Sequence, residues 1–177
     1  MQDKTKLRKE KRIMKNKKAL FITQASMVAA IYVVLTYVVN ITGLASGVIQ
    51  IRLSEALCVL PAFMPAAVPG LFIGCLISNL ICGAVIWDVI FGSIATLIGA
   101  IGTYLLRKKS KWLLPLPAIL SNTLIIPVIL TYAYGVEDAI WFSAITVFIG
   151  EFISCGILGM LLYHSLNNPH IRNIFKN

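Results

Sequence analysis

"ALFITQASMVAAIYVVLTYVVN", residues 19–40, decides the fold, because it contains no Asp, Glu, Lys or Arg from end to end. A helix rises about 1.5 Å per residue and the hydrocarbon core of a bilayer is about 30 Å thick, so roughly 20 apolar residues suffice to cross it. A cleaved signal peptide has a shorter apolar core, about 7–15 residues, and a small-x-small cleavage site, which is not evident here. The stretch therefore reads as a membrane span. Before it lie nine of the chain's 16 Lys and Arg residues, between Lys4 and Lys18. A cluster placed there reads as a topology signal and a contact for anionic lipid, not as a nucleic-acid site.

The remainder of the chain follows suit. Its 177 residues are 58% hydrophobic and 13% charged, a composition for lipid and not for water. The fold class expected is an all-α membrane protein, a six-helix transmembrane bundle, with segments at 19–40, 52–68, 70–86, 87–106, 112–133 and 139–165. Pro61, Pro65 and Pro69 recur every four residues in "PAFMPAAVPG" (61–70), which rules out one long helix there and suggests a turn at Pro69-Gly70. One domain is expected: a basic cytoplasmic arm (1–18), the membrane bundle (19–165) and a cytoplasmic tail (166–177).

Charge orients the bundle. With the N-terminus inside, "RKKSK" (107–111) and the tail residues Arg172 and Lys176 are also inside, leaving Arg52 as the basic residue elsewhere. The same drawing puts Glu137 and Asp138 in an external loop and Glu55 and Asp88 near the outer helix ends. Glu151 lies about 12 residues, or roughly 18 Å, into the last helix.

Carboxylates in or near lipid cost about 2.5–3.5 kcal/mol each on insertion scales, so they face cavities or partners. Each has a plain and a functional reading. Glu55 pairs with Arg52 three residues away, or binds a ligand. Asp88 opposes its helix dipole, or binds. Glu151 has no Lys, Arg or His at its expected depth, so a binding role is favoured. Asn79 and Asn122, expected near the midplane, serve as interhelical glue or as ligand hydrogen bonds. Trp87 is a belt residue or stacks on a flat ligand, whereas Trp141 reads as belt.

Small residues at four-residue spacing, in the sets Gly70/Gly74/Ser78 and Gly92/Thr96/Gly99, suit close helix packing. Ala25 and Ala29 form a similar strip on an otherwise bulky first helix, one that could face another protein. Cys58, Cys75, Cys82 and Cys155 show no CxxC or Cys/His spacing and read as small buried hydrophobes, so no metal is expected.

Catalytic signatures are missing. There is no GxxxxGK[ST] and no HExxH, and His164 and His170 fall at the cytoplasmic edge without a neighbouring nucleophile. Gly92-Ser93 lacks a histidine at matching depth. An enzyme or a simple channel is therefore disfavoured, and no cofactor is expected.

"VIQIRLSEALCVLP" (48–61), "VPGLFIGCLISNL" (68–80) and "WDVIFGSIATLIGA" (87–100) resemble signature segments of the QueT family, over about residues 19–165. These are substrate-binding S components of energy-coupling factor (ECF) transporters in prokaryotic cell membranes. The resemblance implies a six-helix subunit with an external site. It also implies partners, a transmembrane coupling protein and two ABC-type ATPases, with Ala25 and Ala29 as the docking strip. The family's substrates are queuosine precursors, 7-deazaguanines such as the aminomethyl derivative or queuine. Such a ring presents N1–H beside an exocyclic amine, which a carboxylate accepts in bidentate fashion, and its side-chain amine is cationic. The expected site is Glu55, Asp88, Glu151, Asn79, Asn122, Trp87 and Arg52, with Glu151 or Asp88 reading the guanine edge and Glu151 carrying most of the affinity.

Overall fold

A computed structural model describes residues 2–43, 50–133, 135 and 140–168. Glu137, Asp138, His170, Arg172 and Lys176, on which part of the orientation argument rests, lie outside the described residues. Among those described, every element is helical, as the composition requires.

Helix α1 (Gln2–Ile41) carries the basic stretch and the first apolar run without a break. A segment of 3-10 helix follows (Leu53–Ala62), then α2 (Ala67–Ile81), α3 (Ile86–Leu106) and α4 (Leu116–Tyr132). Last comes a continuous run made of α5 (Ile140–Glu151), a π turn (Phe152–Leu158) and α6 (Gly159–Leu166). Four stretches are long and apolar enough to cross a membrane: Asn16–Ile41, Ile86–Leu106, Lys111–Tyr132 and Ile140–Leu166. Their outward residues are those lipid would meet: Ile22, Leu105, Leu124 and Leu161 each expose more than three fifths of their surface.

The second expected segment is corrected by the structure. Residues 52–68 do not form a spanning helix, because 3-10 geometry takes over at Leu53 and ends at Ala62. Ten residues at about 2 Å each cover only about 20 Å. The break also falls earlier than the Pro69-Gly70 dipeptide suggested. The chain turns at Phe63–Ala66, while Pro69 sits in the first turn of α2, where its missing N–H has no partner to lose. Gly70 is helical and is used for packing: a Cβ there would stand 2.7 Å from the Ala25 carbonyl oxygen of α1.

Helices α1 to α5 pack in chain order, each on the next, and the 3-10 segment is wrapped by α1, α2, α3, α6 and the π turn. Its Leu57 and Leu60 join Val28, Tyr32, Leu71 and Cys75 in the main core. Gly74 brings α2 onto Ala29 and Tyr32, and Gly99 brings α3 to 2.7 Å from the Ala118 Cα by the same measure, so both small-residue sets serve internal packing.

Candidate functional site

A cavity of about 430 Å³ lies where several helix ends converge. The last turns of α1 supply Thr36 and Asn40, an extended strand supplies Gln50 and Arg52, α2 supplies Asn79, α3 supplies Asp88, and α4 supplies Ile126 and Ile129. Asp88 begins α3 and the basic turn follows its end, so the cavity and "RKKSK" are separated by about 28 Å of helix.

Local chemistry explains each position. Helix α2 ends at Gly83, whose φ of +73° is the left-handed conformation that glycine tolerates. The reversal lets Ala84 N–H donate to the Asn79 carbonyl at 3.0 Å and starts α3 beside the end of α2. Asn79 Nδ2 then donates to the Asp88 carbonyl at 3.3 Å and to the Cys75 sulfur at 3.7 Å. Arg52, with φ −110° and ψ 102°, is extended and precedes the 3-10 turn instead of sharing a helix face with Glu55. Its N–H donates to Ser154 Oγ at 3.1 Å, tying this strand to the last helix 102 residues away.

Beneath the cavity lies a second, drier layer. Glu55 accepts a hydrogen bond from the Tyr32 phenol, and the Thr36 and Ser54 hydroxyls pair at 2.8 Å. The Cys155 thiol stands 3.2 Å from Glu151 Oε2 and 3.4 Å from the Glu55 carbonyl oxygen. The Asn122 side chain hydrogen-bonds Glu151. Ligand-type atoms of Glu55, Glu151 and Cys155 all fall within 4.8 Å of one another, a recess of cation size that chain spacing could not reveal. Cys155 is thus a polar partner of the acids, more than the small hydrophobe its sequence context indicated.

The three carboxylates are buried, with Glu55, Asp88 and Glu151 only 3%, 7% and 6% exposed. Among the described residues, Arg52 is the cation that faces them. It feels the charge of Asp88 most strongly and that of Glu55 less, so the expected Arg52–Glu55 pairing is not its main one. Glu151 also feels Arg52, which corrects the expectation that no cation lies at its depth. The reason is the strand at residues 50–52, which descends against Gly150 of the last helix. Burying ions in low dielectric costs several kcal/mol each, and one guanidinium beside three carboxylates leaves a negative excess.

The predicted residues therefore divide. Arg52, Asn79 and Asp88 line the cavity, while Glu55, Glu151 and Asn122 stand in the layer behind it. Trp87 belongs to neither: it is 53% exposed, stacks on Phe91 at 6.0 Å and lines an apolar groove with Leu124 and Tyr132. Its neighbour Asp88 points inward, and adjacent residues on a helix diverge by about 100°. The expected stacking on a ligand in the polar cavity is accordingly withdrawn. Sequence reasoning missed Tyr32, Thr36, Gln50 and Asn40, which sit in runs with no pattern to distinguish them.

Ala25 and Ala29 also have two surroundings. Ala29 is buried against Gly74, yet both alanines floor an exposed apolar groove of about 650 Å³ walled by Phe21, Ile22, Ile73 and Ile77.

Comparison with known proteins bears on this arrangement. A family model described as QueT transporter matches residues 22–168. A protein of Lactococcus lactis subsp. cremoris (strain MG1363), "Queuosine precursor transporter QueT", is 37% identical over 86 residues, or 48% of this chain and 50% of that protein. The match thus spans about half the length of that relative. No solved structure matches the chain.

Proposed function

The chain belongs to the QueT transporter family, and from that premise we propose that it is the substrate-binding S component of an ECF transporter for a queuosine precursor. The observation that carries this reading is the cavity of about 430 Å³ whose wall combines Arg52, Asn79 and Asp88. Its size falls in the range of small-molecule sites, about 300–1,000 Å³. The negative excess of its surroundings suits a 7-deazaguanine, which brings N–H donors on the ring and, in the aminomethyl compound, a cationic arm. An anionic vitamin would meet three carboxylates and one guanidinium.

In this proposal the bundle sits in a prokaryotic cell membrane with six embedded segments, four long and two short, and both termini in the cytoplasm. The cavity then opens outward, away from the "RKKSK" turn, as uptake requires. Glu55 and Glu151 sustain the potential that holds the cationic arm. ATP hydrolysis belongs to separate chains, two ABC-type ATPases joined by a coupling protein that docks on the groove over Ala25 and Ala29. Transport follows from docking and reorientation of the loaded subunit.

Calorimetric titration of the purified chain with guanine, aminomethyl-deazaguanine, queuine and queuosine tests the reading. Saturable binding of a deazaguanine, with thermal stabilisation of the protein, supports it, because a ligand bound only to the folded state raises apparent stability. No binding by any of the 7-deazaguanines rejects it. Equal binding of guanine would instead favour a nucleobase carrier of the same class.

A further inference from the structure

We infer that Gly92 is a positioning residue for substrate specificity, a notch that lets the Asp88 carboxylate and the Asn79 amide lie together as one hydrogen-bond-accepting edge. This rests on the reading that the cavity takes a 7-deazaguanine, and it names the part of the cavity that reads the ring.

Gly92 follows Asp88 by one helical turn on α3, and a side chain there points back toward Asp88. A Cβ at Gly92 would stand 2.8 Å from Asp88 Oδ1, 3.4 Å from Asn79 Nδ2 and 3.8 Å from Asp88 Cγ. Real Cβ atoms do not approach so closely, so the carboxylate occupies space that only glycine leaves open. Both groups that meet at the notch are also part of the cavity wall. The close packing at Gly70, Gly74 and Gly99 is different in kind, because each of those glycines faces the backbone of another helix.

Asn79 has a defined share in this edge. Its amide N–H groups are engaged by the Asp88 carbonyl and the Cys75 sulfur, so its carbonyl oxygen is what it has left to offer a ligand. A carboxylate and an amide oxygen side by side accept hydrogen bonds. Their complement is a ring edge with a ring N–H next to an exocyclic amine, the amino-lactam edge of guanine and its 7-deaza analogues. A ring that lacks the amine leaves one buried acceptor without a donor, and sites built around a polar partner discriminate strongly against its loss. The neighbouring guanidinium of Arg52 offers Asp88 the same kind of paired donors, which is consistent with an edge shaped for them.

The experiment compares two ligands, 7-deazaguanine and 7-deazahypoxanthine, which differ in the exocyclic amine alone. Each is titrated calorimetrically into the purified full chain and into its Gly92→Ala and Asp88→Asn variants. Gly92→Ala meets the end of a side chain and no backbone, so the helix has no cause to shift. The expected result is that the wild type binds 7-deazaguanine at least tenfold more tightly than 7-deazahypoxanthine, and that Gly92→Ala loses most of that ratio by weakening the first ligand while sparing the second. A merely structural role would weaken both alike. If the wild type binds neither ring, the reading of the cavity fails and this inference with it. If the wild type binds both equally, or Gly92→Ala keeps the wild-type ratio, the inference fails while the transport reading stands. Should Gly92→Ala not fold, Asp88→Asn decides: a lost ratio supports the shared edge, and a retained ratio overturns it.

Discussion

Gly150 of the last helix and the backbone carbonyl of Gln50 are in such close contact that any side chain at position 150 would collide with it. The two residues hold the strand at 50–52 against the helix and thereby deliver Arg52 into the interior. Replacing Gly150 by alanine forces a backbone group to move, unlike a clash with a flexible side chain. We expect Gly150→Ala to destabilise the protein by about 1–3 kcal/mol, in the range of overpacked cores, and to weaken ligand binding as well. Thermal unfolding in detergent, with and without ligand, measures both, and a wild-type melting curve would contradict the assigned contact.

The Tyr32 phenol donates to Glu55 within the dry layer. Removing the hydroxyl leaves a buried carboxylate short of a donor, at a cost of about 1–3 kcal/mol. Tyr32→Phe should therefore melt earlier than the wild type, whereas Tyr32→Phe combined with Glu55→Gln should lose less than the two single changes added together. A double-mutant cycle with no coupling would show that the pair does not act as one unit.

Asp88 and Glu151 are separated by their positions relative to the cavity, the first in its wall and the second behind it. Asp88→Asn is therefore expected to weaken binding of aminomethyl-deazaguanine by tenfold or more, and Glu151→Gln by a smaller factor. This reverses the ranking expected from depth alone. Titration of the two variants side by side checks the order, and a larger loss for Glu151→Gln would place the ligand deeper than the cavity described.

The groove over Ala25 and Ala29 permits a test of docking that leaves the site alone. Ala25 is half-buried at the groove floor and lies well away from the residues of the polar cavity. Ala25→Leu fills the floor without touching the ligand. We expect substrate affinity to stay within about twofold and uptake by vesicles containing the coupling protein and ATPases to fall by tenfold or more. Unimpaired uptake would move the docking surface elsewhere.

How much of this was legible in the sequence depends on the distance over which each feature is determined. Apolar length is local, so the long helices at 86–106, 111–132 and 140–166 fall close to their expected bounds. Proline position is also local, but its effect depends on which N–H groups need partners, and Pro65 marks the break while Pro69 does not. The candidate acids were visible because a carboxylate in an apolar run is conspicuous. Their partners were not, since Tyr32 lies 23 residues from Glu55 and Ser154 lies 102 from Arg52. Trp87 shows the limit most plainly: adjacency to Asp88 in the chain places the two side chains on different sides of α3.

The buried 3-10 segment has a consequence for biosynthesis. Leu53–Ala62 emerges from the ribosome before α3, α6 and the π turn that enclose it exist. Too short to cross and carrying Glu55, with Arg52 just ahead of it, it is a poor substrate for insertion at the translocon on its own. It must wait at the membrane surface and enter sideways once the later helices are in place. Maturation therefore runs out of chain order, and the ligand site is among the last parts of the molecule to exist.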